Sequence, residues 1–140
     1  MRATALIIAT GLAAIVPAMA SAELLLPSGE EAQRLPVVWD EGESVIRLRF
    51  IVERLREPQS LYAGDPQRVL DDMHWLCETQ LAGLFEADMD PRDDGWTGVV
   101  VTLMDREVDF GTVDTESFQL FEWFVIGMDG CELDLGDHYE

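Results

Sequence analysis

The sequence contains no lysine. Its nine cationic side chains are all arginines, and they are set against 28 aspartates and glutamates, for a formal charge of −19 over 140 residues. Nucleic-acid binding is dominated by cations that neutralise phosphate, and anionic membrane surfaces attract the same positive charge. We therefore expect no nucleic-acid partner and, once the leader described below is removed, no membrane partner.

The signatures of a cofactor-dependent enzyme are also missing. The chain is too short for separate cofactor and substrate lobes, and it has no glycine-rich motif for pyrophosphate. Residues 88–95 are rich in aspartate like a calcium loop, but Arg92 stands at the third ligand position and Val101 replaces the final bidentate glutamate. We therefore expect residues 88–95 to form a solvated acidic loop. For the protein as a whole, the sequence identifies no catalytic residue, and we expect no cofactor and no bound metal.

Residues 1–22 are typical of a cleaved secretory leader. Arg2 provides a positive start, residues 3–16 are almost unbroken apolar sequence, and the small residues Ala20 and Ala22 suit signal peptidase. The apolar stretch is shorter than the ~20 residues that a membrane span requires. We expect cleavage after Ala22 and a periplasmic or secreted protein.

The mature chain, residues 23–140, is expected to form a single domain with one disulfide. Cys77 and Cys131 are its two cysteines, and an even count in an exported protein favours a bond that would contribute roughly 4 kcal/mol. The alternative is free or metal-bound thiols. His74, three residues before Cys77, could share a zinc ion or form an imidazole–thiolate pair with it, although the other histidine, His138, stands beside the carboxy terminus.

Hydrophobic periodicity indicates both strands and a helix. Apolar and polar side chains alternate in residues 44–53, as in a half-buried strand, and residues 36–40 are expected to pair with it in a hairpin. Asp65 is a good N-cap before Pro66, so we predict a helix over residues 66–82 that Gly83 ends.

Three further strands are predicted after the helix. Residues 99–104 form a β-branched run typical of a central strand, which Val108 and Phe110 are expected to continue. Residues 118–126 are predicted to be a second interior strand, and residues 131–135 an edge strand with one wet face. The fold class is α+β, with a mainly antiparallel sheet of about five strands and one principal helix packed on one face.

Positive charge is concentrated in one part of this acidic chain. Residues 44–68 hold five arginines and three acids, whereas the rest of the mature chain holds three arginines and 25 acids. Guanidinium groups bind carboxylates bidentately. The candidate recognition patch therefore comprises Arg47, Arg49, Arg54 and Arg56. The alternative is that these arginines pair internally with neighbouring acids.

Several local patterns occur together over most of the mature chain: Leu26-Pro27-Ser28-Gly29, Val38-Trp39-Asp40 with Arg49-Phe50, Asp72-Met73 with Leu76-Cys77, residues 99–106, Val108-Asp109-Phe110-Gly111, and Phe121-Glu122 with Cys131. In these patterns the sequence resembles a family of small uncharacterised secreted proteins of alphaproteobacteria. Some of its relatives are labelled acetolactate synthase, but a thiamine-diphosphate enzyme needs a far longer chain. The resemblance implies a class and an exported location, without an activity.

We expect a non-enzymatic binding or interaction module for a protein or a small ligand, a class that includes assembly accessories. The alternative is a small hydrolase-like enzyme whose site has no recognisable motif. An enzyme should bring His74 or a pair of carboxylates together with backbone donors in a cleft, whereas a binding module need not.

Overall fold

The computed structural model describes residues 5, 10–12 and 23–136. Most of the predicted leader, residues 1–22, and His138 near the carboxy terminus lie outside the described residues. Within the described ranges, none of the helical structure combines the length and the hydrophobicity of a membrane span.

Seven strands form one sheet. In chain order they are β1 (Glu23–Leu25), β2 (Glu31–Arg34), β3 (Val38–Asp40), β4 (Val45–Ile51), β5 (Gly98–Met104), β6 (Gln119–Gly127) and β7 (Gly130–Leu133). Their spatial order is β1-β2-β4-β5-β6-β7, and β3 pairs with the first half of β4 on the side where β2 pairs with its end.

The predicted α+β class is confirmed, but the sheet is mixed rather than mainly antiparallel with about five strands. β4 and β5 run parallel, because residues 52–97 carry the chain back to the end of the sheet where β4 began. The additional strands come from the lead-in, where β1 and β2 form a short antiparallel pair around the turn at residues 26–30. β1 contains two adjacent leucines and β2 contains one apolar residue, Ala32, so neither segment alternates between apolar and polar side chains.

The helix α1 (Pro66–Leu84) lies in the connection between the two parallel strands. Asp65 caps it as predicted and accepts a hydrogen bond from the Arg68 backbone N–H at 3.1 Å. The sequence predicts that the helix ends at Gly83, but α1 continues through it to Leu84. Leu84 and Phe85 continue its apolar stripe against the core, and the backbone becomes extended only at Phe85.

The disulfide between Cys77 and Cys131 is confirmed. It joins α1 to the edge strand β7, with the two Cα atoms 6.2 Å apart, and both residues are buried. The last hairpin therefore runs beside the helix, which fixes the sheet face that α1 covers. Neither thiol is free, so the imidazole–thiolate alternative is wrong.

The two faces of the sheet differ in what covers them. The face under α1 forms the main core, with Ile46, Leu48, Phe50, Val99, Val101, Leu103, Phe124 and Ile126 among its buried residues. The sequence predicts that Val108 and Phe110 continue β5, but the structure shows that they do not. The chain leaves the strand after Met104, and residues 105–118 cross the opposite face, where Val108 packs with Leu35, Ile51 and Met104.

Candidate recognition surface

The sheet face opposite α1 presents two arginines among aromatic side chains. Alternation along the strands turns every second residue of β4, β5 and β6 toward this face. The strand register aligns these residues in two rows, Arg47 with Val100 and Trp123, and Arg49 with Thr102 and Phe121. Arg47 and Arg49 are thus neighbours on one surface, as the sequence predicts.

Arg47 is held by an acid from the neighbouring strand. Its Nε donates to Asp40 Oδ2 at 2.8 Å, and both side chains are only 20% exposed. The hydrogen bond from Arg47 lowers the pKa of the Asp40 carboxyl below its ordinary value. The guanidinium carbon lies 5.2 Å from the centre of the Phe110 ring and 5.7 Å from that of Trp123, within cation–π range.

Arg49 has a different environment. Its guanidinium donates to the backbone carbonyl of Val108, and its central carbon lies 5.9 Å from the centre of the Phe110 ring. Among the residues that the structure describes, no carboxylate lies within ion-pair distance of Arg49. Its charge is therefore not neutralised by an ion pair there, unlike the charge of Arg47.

The loop of residues 105–118 encloses this surface. Backbone and side-chain bonds between Asp105 and Phe118, at 3.1 and 2.9 Å, close the two ends of the loop against each other. Between the loop and the sheet lies a cavity of about 240 Å³. Its lining includes Arg47, Arg49, Thr102, Phe110, Phe121 and Trp123.

This arrangement suits a small anion with a flat or apolar body. The guanidinium fork provides paired N–H donors for a carboxylate, and the aromatic rings provide apolar contact area. A cavity of about 240 Å³ is smaller than the ~300 Å³ at which pockets for whole small molecules usually begin. It therefore fits one side-chain-sized group.

The other two arginines of the predicted patch do not line this cavity. Arg54 donates to the carbonyl of Gln59 and lies 3.9 Å from Glu57. Arg56 lies 3.7 Å from Asp105 and stacks over Phe118 at 5.9 Å. Both have the internal partners that the alternative interpretation expects.

His74 lies outside the cavity and binds the backbone of the edge strand. Its Nε2 is 2.8 Å from the carbonyl oxygen of Cys131, while Glu78, one turn further along α1, accepts from the Cys131 N–H at 2.9 Å. Gly130 makes this contact possible, because a Cβ there would overlap the Glu78 carboxylate. His74 therefore has a structural partner in place of the thiolate or metal considered from sequence.

A buried polar cluster was missed by sequence reasoning. Asp72 is 1% exposed on the inner side of α1 and accepts hydrogen bonds from the Ser28 N–H at 3.0 Å, the Ser28 hydroxyl and the Tyr62 hydroxyl. Burial and the Asp72 carboxylate raise the pKa of Tyr62 far above its ordinary value. The signal was available, since Asp72 stands at helical spacing between Val69 and Leu76 on the apolar stripe.

A second buried carboxylate extends this cluster. Glu30 accepts from the Ser60 hydroxyl at 3.2 Å and from the Leu61 N–H at 2.5 Å, and Ser60 accepts from the Tyr62 N–H. The cluster fastens the turn after β1 and the loop before α1 to the helix. Within the described ranges, His, Cys, Asp and Glu side chains nowhere form a group of three or more suited to hold a metal ion.

Together these features describe an α+β domain with one crossover helix, one disulfide and an arginine-bearing cavity on the sheet face opposite α1. The chain matches the model of a family of unknown function, DUF6497, over residues 8–135, and it belongs to that family. The resemblance to an uncharacterised family is thus confirmed. Comparisons with curated proteins and with solved structures found no match.

Proposed function

We propose that the protein is a non-enzymatic binding module, exported to the periplasm or secreted, that binds a carboxylate-bearing group in the cavity of Arg47 and Arg49. The observation that carries the proposal is Arg49. It bears a positive charge without an ion-pair partner in the described chain, and it lies beside the Phe110 ring in a protein whose net charge is strongly negative.

The surroundings of Arg49 favour a single negative charge over a double one. Asp40 already neutralises Arg47, and Asp109 on the loop is a further acid lining the cavity. Like charges at this range repel, so a dianionic phosphate gains less here than a carboxylate does. Arginine has five N–H donors, and those not directed at the Val108 carbonyl can meet the two oxygens of one carboxylate.

One structural observation supports export. Disulfides such as that between Cys77 and Cys131 form and persist mainly in oxidising compartments. This agrees with the leader pattern in residues 1–22.

The positions of the candidate catalytic groups support binding over hydrolysis. His74 contacts the backbone of β7 on the other side of the sheet from the arginine cavity. The buried carboxylates Glu30 and Asp72 accept hydrogen bonds from the protein itself. Neither group lines the cavity of Arg47 and Arg49.

Titration with benzoate and its neutral analogue benzamide tests the proposed site. Binding is monitored through the ¹⁵N chemical shifts of residues 105–118. We expect benzoate to bind saturably and benzamide to show no comparable binding. Arg49→Gln should abolish the benzoate shifts while the fold, checked by circular dichroism, is kept. Arg54→Gln removes the same charge outside the cavity and serves as the matched control.

Three outcomes would contradict the proposal. These are no saturable binding of benzoate to the unaltered protein, equal binding of benzamide, and an Arg49→Gln variant that binds benzoate as well as the control does.

A further inference from the structure

A second and larger groove lies on the helix side of the sheet. It is formed by the last turns of α1, residues 85–91 and the turn between β6 and β7, and it has a volume of about 600 Å³. The apolar residues that line it include Leu81, Phe85, Met89, Ile126 and Met128. Leu81 and Ile126 are buried at its base, where they join the main core.

Two methionines stand exposed at the rims of this groove. Met128, at the tip of the last hairpin, is 85% exposed, and Met89, in the loop after α1, is 47% exposed. Methionine is flexible and polarisable and occurs frequently on surfaces that adapt to a bound segment. Both side chains would lose water-exposed apolar surface if another chain entered the groove.

The groove is also negative. Glu78, Glu86, Asp88 and Asp90 line it, and no arginine is among its lining residues. Asp90 pairs with Arg92 at 2.6 Å, and Glu78 accepts from the Cys131 N–H. Within the described part of the chain, Glu86 and Asp88 have no ion-pair partner.

We propose that this groove binds a segment of a partner protein in which large apolar side chains are flanked by lysine or arginine. The apolar side chains would cover Met89 and Met128, and the cations would meet Glu86 and Asp88. Charge complementarity selects this occupant. A second copy of this chain has no lysine and carries the same large negative charge, so it would be repelled.

The proposal is independent of the carboxylate site. The groove lies on the face of the sheet that α1 covers, whereas Arg47 and Arg49 point to the other face. Each site can therefore fail its test without affecting the other.

The test uses a short fluorescein-labelled peptide of leucine and lysine, with fluorescence anisotropy measured at about 0.15 M salt to limit long-range attraction. Two double variants remove one feature each. Met89→Gln with Met128→Gln removes the apolar anchors without changing charge, and Glu86→Gln with Asp88→Asn removes the acids. The matched control, Glu31→Gln with Glu53→Gln, removes two exposed acids near the end of β4, away from the groove.

We expect each groove variant to weaken peptide binding by about fivefold or more and the control by less than about twofold. Arg49→Gln should leave the peptide affinity unchanged. A peptide with serine in place of leucine should bind the unaltered protein weakly, because it lacks the anchors.

The proposal is overturned by any of four results. The first is that the peptide does not bind saturably, and the second is that the methionine variant binds it like the unaltered protein. The third is that the control loses as much affinity as the acid variant, which would indicate attraction to the acidic chain as a whole. The fourth is concentration-dependent dimerisation that the methionine variant abolishes, which would assign the groove to a second copy.

Discussion

At the scale of single residues, Asp72 and Tyr62 show how a very acidic chain can bury negative charge. The Asp72 carboxylate has hydrogen bonds from two hydroxyls and one backbone N–H in place of a cation. Charge-assisted hydrogen bonds of this kind are stronger than neutral ones, and their loss would leave buried groups without partners. The turn after β1 is therefore fastened to α1 through polar contacts as well as through the apolar core.

Tyr62 makes the stability of the protein sensitive to alkaline pH. Its pKa in the folded protein is raised above the ordinary value of 10.0 by burial and by Asp72. The unfolded chain therefore releases this proton first as pH rises. The contribution of Tyr62 is complete below about pH 10 and falls above it by about 1.4 kcal/mol per pH unit.

The prediction can be measured cleanly because the sequence has no lysine and only two tyrosines, Tyr62 and Tyr139. Urea unfolding between about pH 8 and 11 should give a free energy of unfolding that falls above pH 10. Tyr62→Phe should remove that fall, whereas Tyr139→Phe should retain it. An unchanged pH profile in Tyr62→Phe would show that another group is responsible.

At the scale of elements, the disulfide is the covalent link between the helix and the sheet. Cys77→Ser or Cys131→Ser should lower the free energy of unfolding by about 2 to 5 kcal/mol, because the unfolded chain is no longer constrained. The double variant should cost about as much as either single variant, since each removes the same bond. Denaturant unfolding measures all three.

Thiol titration of the denatured, unreduced protein provides the control and should find no reactive thiol. Two thiols, or additive losses of stability from the two single variants, would argue against one shared bond.

The elements that sequence reasoning recovered are those with strong local signals. Asp65 and Pro66 mark the start of α1, and the run in residues 99–104 marks the central strand, which is buried. The end of α1 was misplaced because packing of Leu84 and Phe85 overrode the preference of Gly83 for a helix end. Strand direction was also missed, since it depends on how a long connection returns.

The candidate site also has a part that the sequence predicts and a part that it does not. Alternation along β4 puts Arg47 and Arg49 on one face, and that much can be read from the sequence. The approach of Phe110 cannot, because it depends on a loop without regular structure that folds back over the sheet. The sequence associates Arg54 and Arg56 with Arg47 and Arg49 only because all four lie close together along the chain.

At the scale of the whole molecule, the two proposed surfaces have opposite chemistry on opposite faces of one sheet. One offers arginine and aromatic rings, and the other offers carboxylates and methionines. If both proposals hold, the protein can bind an anionic group and a cationic segment at the same time.

Export is the whole-molecule prediction with the simplest test. Mass spectrometry of the protein from the periplasmic or secreted fraction should find Glu23 at the amino terminus, because signal peptidase requires small residues such as Ala20 and Ala22. Protein from the same fraction that still carries residues 1–22 would contradict it. The cytoplasmic fraction of the same cells is the control and should contain little of the processed form.

The contacts of His74 and Glu78 bear on the exposed edge of the sheet at β7. Ile126 of β6 lies opposite Cys131 of β7, and its N–H donates away from β7, to the carbonyl of Thr97 directly before β5. Ile126 and Cys131 are therefore a pair that does not share backbone hydrogen bonds, so the N–H and C=O of Cys131 point outward from the sheet edge. Both are occupied by α1 side chains. An incoming strand would have to displace an imidazole and a carboxylate before it could pair with Cys131, so these two side chains protect this point of the edge strand from pairing with another chain.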